Sequence, residues 1–128
     1  MNTNFIPLVS IVIPTYNHAN YLRKALQSVL DQTYKNWEAI VIDNHSTDDT
    51  KKVINKFNDP RIRYLKIHNY GVIAKNRNAG ILAAKGEWVA FLDSDDWWTN
   101  DKLQTCMEYF NNHTDLIYHD LEIISIKR

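Results

Sequence analysis

Cysteine, glycine and proline are all scarce in this chain of 128 residues. The single cysteine, Cys106, excludes an internal disulfide and is typical of a protein from a reducing compartment. With only three glycines, the chain has neither the glycine-rich phosphate loop of the P-loop proteins nor that of the dinucleotide-binding proteins. No apolar run approaches the roughly 20 residues that a membrane span needs. The N-terminus has no basic region and no small-residue cleavage site, so we predict no signal peptide.

A net charge is missing as well, because fifteen Lys and Arg residues balance fifteen Asp and Glu residues. Proteins that bind nucleic acid mainly through phosphate contacts usually carry a basic excess, so we expect no nucleic-acid partner. Hydrophobic residues make up 45% of the chain and aromatic residues 12%, a composition that argues against a disordered protein. The length corresponds to one domain or to part of one.

Segments with strand and helix patterns alternate along the sequence. The predicted strands are residues 9–13, 37–42, 62–67 and 88–92, followed by two final strands at 115–118 and 121–126. Helices are predicted over about residues 18–31, from the capping segment 46–49 through Phe57, over 73–84 with Gly86 as C-terminal cap, and over about 101–112. This order predicts an α/β fold with a mostly parallel central sheet and helices on both faces.

Three of the predicted strands end in polar clusters, at residues 14–17, 43–46 and 93–96. Open α/β sheets bind ligands outside the carboxyl ends of their strands, and parallel strands would bring the three clusters to one edge. Each cluster also has a purely structural interpretation. Asn17 is a candidate helix cap, residues 43–46 form a candidate turn, and Asp95 and Asp96 are candidate caps of the next helix.

The third cluster places three carboxylates within four residues, and at neutral pH these repel one another. A hard divalent cation, Mg²⁺ or Mn²⁺, offsets such repulsion and often shares its site with substrate phosphates. Because the chain has no glycine cradle for phosphate, such a metal would neutralise most of the phosphate charge. The cluster therefore predicts a metal-assisted phosphate site.

Taken in order, the segments 9–17, 42–48, 69–80 and 86–96 resemble the inverting family-two glycosyltransferases of GT-A fold. The resemblance covers nearly the whole chain and implies a Rossmann-like nucleotide-binding half. It implies transfer of a sugar from a nucleotide-diphosphate donor, usually a UDP-sugar, to a saccharide or lipid-linked acceptor, with Mn²⁺ or Mg²⁺ as cofactor. We expect residues 1–128 to form a single GT-A domain truncated before the acceptor-binding half, in the cytoplasm or at the cytoplasmic face of the membrane.

At the matching positions, the resemblance places Pro14, Thr15 and Tyr16 in the wall around the base and ribose, with the Tyr16 ring stacking on the base. Asp43 and Asn44 match the family's base-reading acidic pair, which is two aspartates in many members. An asparagine oxygen still accepts a hydrogen bond from a uracil N–H, but its amide also donates. The departure at Asn44 therefore weakens the inference that the base is uracil.

The resemblance also assigns the diphosphate end of the nucleotide. Asp93 matches the ribose or metal-shell residue and Asp95 the direct metal ligand, with Ser94 as a nucleotide-binding residue between them. Asp96 either joins this site or caps the next helix. Arg77 lies in the matching segment 69–80 and is predicted to reach the base or the diphosphate, where a charge-assisted hydrogen bond is strong. The alternative for Arg77 is a solvated helix arginine.

Inverting transfer also needs a general base that deprotonates the acceptor hydroxyl. In the family this base is an Asp or Glu after the acidic motif, and here the candidates are Asp115, Asp120 and Glu122, of which Asp120 ends a predicted strand. A second hypothesis is a nucleotide-binding module with no transfer activity in this chain. A third, a nucleotidyltransferase, would have a glycine-rich basic loop after the first strand, and residues 14–17 are not such a loop.

Overall fold

The computed structural model describes residues 6–111 and 113–118. Four strands alternate with four helices in this part of the chain: β1 Val9–Thr15, α1 Ala19–Leu30, β2 Trp37–Asp43, α2 Thr50–Phe57, β3 Ile62–Lys66, α3 Ala74–Ala83, β4 Trp88–Phe91 and α4 Lys102–Glu108. The strands form one parallel sheet in the order β3-β2-β1-β4. The prediction of an α/β fold with a parallel sheet is confirmed.

Helices cover both faces of this sheet, and β1 and β2 are therefore buried on both sides. Successive side chains of a strand point to opposite faces, so each strand contributes to two cores. The larger core joins β1 and β2 to α1, α2 and α4, through Ile11, Ile13, Val41, Leu22, Leu26, Ile54 and Leu103. The smaller core joins the other face to α3, through Val12, Ile40, Ile42, Ala79 and Ala83. Among the described residues, no helix has the length and apolar character that crossing a bilayer requires.

The predicted strand at residues 115–118 is wrong. These residues have no regular secondary structure and pair with none of the four strands, and Leu116 and Tyr118 are 77% and 88% exposed. An apolar pattern alone does not make a strand, because the backbone groups also need a neighbouring strand for hydrogen bonds. The other predicted final strand, residues 121–126, lies outside the described residues. Helix α4 is also shorter than the predicted 101–112.

Gly86 does not cap α3 as predicted. The helix ends at Ala83 and its C-cap, Ala84, is already extended. Gly86 instead lies against the start of β1, where a Cβ atom would be 2.5 Å from the Leu8 carbonyl oxygen. Its N–H donates to the Ser10 hydroxyl over 2.8 Å. The glycine is therefore required by the close approach of two backbones rather than by a helix end.

A buried glutamate, Glu38, ties the amino ends of these elements together. Its carboxylate accepts hydrogen bonds from the Ser10 hydroxyl (2.7 Å), the Lys85 N–H (2.7 Å) and the Arg63 guanidinium (3.0 Å). Arg63 also donates to the Ala83 carbonyl over 2.8 Å. Burial acts to raise the pKa of the Glu38 carboxyl, but the hydrogen bonds outweigh it and hold the pKa below its usual value.

We expect Glu38→Gln to destabilise the fold in a pH-dependent way. The amide loses the ion pair with Arg63 and turns a donor toward it, at a cost of about 1.5–3 kcal/mol at neutral pH. Because the pKa is lower in the folded chain, the ionised carboxylate stabilises the fold above its unfolded-state pKa of about 4.3. The stabilisation is lost as the pH falls through the lower folded-state pKa. Urea unfolding of both chains between about pH 7 and pH 3 measures this difference.

The matched control is Glu108→Gln, at an exposed position at the end of α4. This control should change the free energy of unfolding little at any pH. A constant difference between Glu38→Gln and the unaltered chain from pH 7 to pH 3 would contradict the ionisation argument.

Candidate functional site

The structure brings the three polar clusters together at the carboxyl edge of the sheet. The clusters at the ends of β1 and β2 are linked by two backbone donors: the Asn44 N–H donates to the Thr15 carbonyl (3.1 Å) and the Asn17 N–H to the Ser46 hydroxyl (2.9 Å). A hydrogen bond of 2.9 Å joins Ser94 Oγ in the third cluster to Nδ1 of His18, the residue that follows the first cluster. The expectation that parallel strands place these clusters on one edge is therefore confirmed.

The residues after β4, 93–96, form a tight turn that we call the acid loop. The Asp96 N–H donates to the Asp93 carbonyl over 3.0 Å. Asp93, Asp95 and Asp96 are all exposed, and one carboxylate oxygen from each lies within 4.8 Å of the others. Partial burial and the neighbouring charges of Asp95 and Asp93 raise the pKa of Asp96. Such a set of carboxylate oxygens fits a hard divalent cation such as Mg²⁺ or Mn²⁺.

Arg77 lies beside the acid loop. It is on α3, and its guanidinium donates to Asp93 Oδ1 over 3.0 Å as a half-exposed ion pair. An arginine held there places a planar donor group next to the carboxylates, and such a guanidinium forms strong charge-assisted hydrogen bonds with carboxylate or phosphate oxygens. The helix cap predicted as the alternative for Asp95 and Asp96 is wrong, since the N-cap residue of α4 is Asp101.

Asp43, at the end of β2, is 2% exposed and already holds three hydrogen bonds. Its Oδ1 accepts from the Ser46 N–H (3.0 Å) and hydroxyl, and its Oδ2 accepts from the Tyr64 hydroxyl (2.6 Å). Burial and this contact raise the pKa of Tyr64 to about 12, so the phenol remains a donor at neutral pH. A carboxylate offers about four lone-pair positions, so about one stays free of hydrogen bonds from residues 6–111 and 113–118.

Asn44 fixes the loop between β3 and α3. Its Oδ1 accepts from the Asn69 N–H over 3.0 Å, and the Asn69 side chain contacts both Asn76 (2.8 Å) and the Gly71 N–H (2.8 Å). Sequence reasoning did not select Asn69, Asn76 or Tyr64. The high density of asparagines in residues 69–78 could have indicated Asn69 and Asn76. Nothing in the sequence distinguishes Tyr64 from other aromatic residues of a strand.

At the β1 end, Pro14 and Thr15 are the last two residues of the strand, Thr15 is buried, and the following residue, Tyr16, is 56% exposed. Among the described residues, the buried Thr15 hydroxyl has no hydrogen-bond partner. The structural interpretation of Asn17 as the cap of α1 is wrong. The N-cap is His18, and Asn17 Oδ1 instead accepts from the Thr47 N–H over 2.8 Å.

The predicted nucleotide-binding residue Ser94 is 3% exposed, and its hydroxyl is bound to His18. Of the candidate general bases, Asp115 is exposed in an irregular segment. Asp120 and Glu122 lie outside the described residues. The roles predicted for the site residues in binding nucleotide and metal stay predictions.

Comparison with known proteins shows the family of this chain. Residues 10–127 match the sequence model of Glycosyl transferase family 2. The chain is 43% identical over 102 residues to the UDP-Glc:alpha-D-GlcNAc-diphosphoundecaprenol beta-1,3-glucosyltransferase WfaP of Escherichia coli, covering 80% of this chain and 41% of WfaP. It is therefore similar to less than half of that protein's length.

Two solved structures share the fold. TarS (residues 1–349) of S. aureus, in complex with UDP-GlcNAc, aligns with a TM-score of 0.74 and 31% identity over 78% of this chain and 30% of that chain. The mannosyltransferase PcManGT of Pyrobaculum calidifontis, in complex with GDP-Man and Mn²⁺, aligns with a TM-score of 0.74 and 26% identity over 87% and 34%. The predicted Rossmann-like GT-A fold is confirmed, and with the match over residues 10–127 the chain belongs to glycosyltransferase family 2.

Proposed function

We propose that this chain is the donor-binding part of an inverting, metal-dependent glycosyltransferase, and that the acid loop receives the diphosphate of a nucleotide sugar. The observation that carries this proposal is the set of three exposed carboxylates, with oxygens within 4.8 Å, at the carboxyl edge of a parallel sheet. Ligands of such sheets bind at that edge. Carboxylates alone would repel a diphosphate, so a cation has to lie between them.

Mn²⁺ or Mg²⁺ fits these ligands, with Asp95 as the direct ligand and Asp93 in the metal or ribose shell. When bound, the cation would neutralise charge on the leaving diphosphate. Arg77 supports the same end of the nucleotide, since its guanidinium is already 3.0 Å from Asp93. The presence of Mn²⁺ in the similar structure PcManGT agrees with this choice of metal.

The base is proposed to lie over the β1 and β2 ends, between the exposed Tyr16 ring and the pair Asp43 and Asn44. Pro14 and Thr15 form the floor, and Tyr16 offers a flat apolar face for stacking. The remaining lone pair of Asp43 and the amide of Asn44 are the groups that face a base edge. UDP is the proposed nucleotide, in agreement with TarS, whose structure contains UDP-GlcNAc.

For the whole protein we propose transfer of the sugar to a saccharide or lipid-linked acceptor, with inversion. WfaP, whose name includes a diphosphoundecaprenol acceptor, supports this class. We propose a cytoplasmic location, which the single cysteine favours, with peripheral attachment of the whole protein to the membrane. The general base remains a proposal for Asp120 or for a residue outside this chain.

The competing function is a nucleotide-binding module that transfers no sugar. Both functions use the donor site, so only the acceptor reaction separates them. Incubation of the whole protein with a radiolabelled UDP-sugar and with saccharide and lipid-linked acceptors distinguishes them, because only the transferase gives acceptor-dependent product. Loss of that product in Asp120→Asn would assign the base to Asp120.

We expect UDP to bind this chain weakly in chelator and about tenfold or more tightly with Mn²⁺ or Mg²⁺, a gain of about 1.4 kcal/mol. The physical reason is the repulsion between the diphosphate and the acid loop, which the cation removes. Isothermal titration calorimetry with UDP and GDP, each with Mn²⁺ and with EDTA, measures both the metal effect and the base preference. Equal affinity in Mn²⁺ and EDTA would contradict the metal site.

A further inference from the structure

Ser94 occupies an unusual place in the acid loop. It lies between the proposed metal-site residues Asp93 and Asp95, yet it is 3% exposed while both neighbours are exposed. Its hydroxyl is hydrogen-bonded to His18, with 2.9 Å between Oγ and Nδ1. A loop that carries three like charges tends to open, because the charges repel. The bond from Ser94 to His18 therefore restrains the loop against its own repulsion.

His18 is itself held in place from two sides. Its carbonyl accepts from the Leu22 N–H over 2.7 Å, which makes it part of the first turn of α1. Its ring meets the Tyr21 ring edge to face, with 5.6 Å between centroids and an angle of 74°. A side chain whose backbone and ring are both fixed presents Nδ1 in one direction. His18 is therefore held in one orientation by its contacts, unlike a mobile surface histidine.

His18 is also connected to Asp43, at the end of the site where we propose that the nucleotide base binds. The preceding residue, Asn17, donates its N–H to the Ser46 hydroxyl (2.9 Å), and Ser46 in turn donates to Asp43. A continuous path of hydrogen bonds and one peptide unit therefore runs from Asp43 to Ser94. This path crosses three strand ends that are far apart in sequence.

We propose that His18 is a positioning residue, which holds the acid loop through Ser94 in the shape that binds a divalent cation with a nucleoside diphosphate. The proposal rests on the proposed function, since it assumes that the acid loop binds Mn²⁺ with UDP. His18 touches neither in this role. It acts by fixing the backbone between Asp93 and Asp95 before the ligand arrives, which lowers the cost of ordering the loop on binding.

The test compares two replacements of His18, one that keeps the ring without the hydrogen bond to Ser94 and one that keeps the hydrogen bond without the ring. His18→Phe keeps a ring against Tyr21 but removes the nitrogen that contacts Ser94. His18→Asn places an amide group close to the position of Nδ1 and retains a partner for the Ser94 hydroxyl. The matched control is His113→Phe, at an exposed loop position. Calorimetry measures UDP binding with Mn²⁺ and with EDTA, and a thermal melt checks folding.

We expect His18→Phe to weaken Mn²⁺-dependent UDP binding about fivefold, which converts to about 1 kcal/mol, with binding in EDTA unchanged. His18→Asn and His113→Phe should bind like the unaltered chain. The double variant of His18→Phe with Ser94→Ala should be no weaker than either single variant, because both remove the same bond.

Three results would overturn the inference. Unchanged Mn²⁺-dependent binding in His18→Phe would show that the bond does not position the loop. An equal loss in His18→Asn, which retains a partner for the Ser94 hydroxyl, would show that the loss does not come from the hydrogen bond between His18 and Ser94. Absence of Mn²⁺-dependent UDP binding in the unaltered chain would overturn the proposed function, and this inference with it.

Discussion

Asp95→Asn is expected to remove the metal-dependent part of UDP binding while leaving the fold intact. The amide keeps the size of the carboxylate but loses the charged oxygen that a hard cation prefers. UDP affinity measured with Mn²⁺ should therefore fall to the value measured in EDTA. The side chain is exposed in the loop after β4, so the free energy of unfolding should change by no more than about 0.5 kcal/mol.

The matched control for this change is Asp101→Asn, in the same exposed surroundings six residues later. It removes the same charge from the chain without touching the acid loop. A general electrostatic effect would weaken or strengthen UDP binding equally in both variants, whereas a metal ligand affects only one. Retention of the full Mn²⁺ effect in Asp95→Asn would contradict the assignment of Asp95 as the direct ligand.

Much of the fold follows from sequence because its central strands are buried on both faces. Every residue of β2 is buried, and between Glu38 and Asp43 its sequence is wholly apolar, so the strand is recognised directly. The parallel order then fixes which strand ends meet, and this is why the three polar clusters were expected on one edge. Residues 115–118 show the limit, since an apolar pattern does not reveal whether a partner strand is present.

The internal bonding of the site was not predictable in the same way. The residues that hold the clusters come from distant positions: Tyr64 bonds to Asp43 across 21 residues, Asn69 to Asn44 across 25, and His18 to Ser94 across 76. Sequence spacing indicates which strand ends are neighbours, but not which side chain of one loop reaches another. Those contacts depend on backbone conformation, such as the left-handed Asn17 with φ of 51°.

The same limit applies to Gly86, where the sequence pattern favoured a helix cap. A glycine after a helix is a common C-terminal signal. Here its role comes from a contact with the Leu8 carbonyl at the start of β1, 78 residues earlier in the chain. Only the packed fold reveals that contact. Gly80 presents a similar case inside a helix, and its substitution has a large expected effect.

We expect Gly80→Ala to destabilise the fold because α3 packs on β1 with no space for a methyl group. An added Cβ would lie 2.3 Å from Val12 Cγ1 and 2.9 Å from Val12 Cγ2. Val12 is fully buried, and a β-branched side chain has little freedom to turn away. Overpacking costs roughly 1–3 kcal/mol, which exceeds the gain of about 1 kcal/mol from replacing a helical glycine except at the low end of that range.

The steric clash in Gly80→Ala should also change the geometry of the candidate site, because α3 places Arg77 and Asn76 at the sheet edge. A shift of the helix away from Val12 moves both side chains, so UDP binding with Mn²⁺ should weaken together with stability. Urea denaturation measures the first effect in the unfolding free energy, and calorimetry the second.

A second substitution tests whether the contact with Val12 causes the loss of stability in Gly80→Ala. Val12→Ala alone opens a cavity and destabilises the fold, but it also removes Cγ1 and Cγ2, the two atoms nearest to the new methyl group, and leaves only Cβ at 3.1 Å. In the double variant the alanine at position 80 fills part of that cavity, so the loss of stability should be smaller than the sum of the two single losses. Strict additivity, or a Gly80→Ala chain as stable as the unaltered one, would show that α3 adjusts to the methyl group without strain.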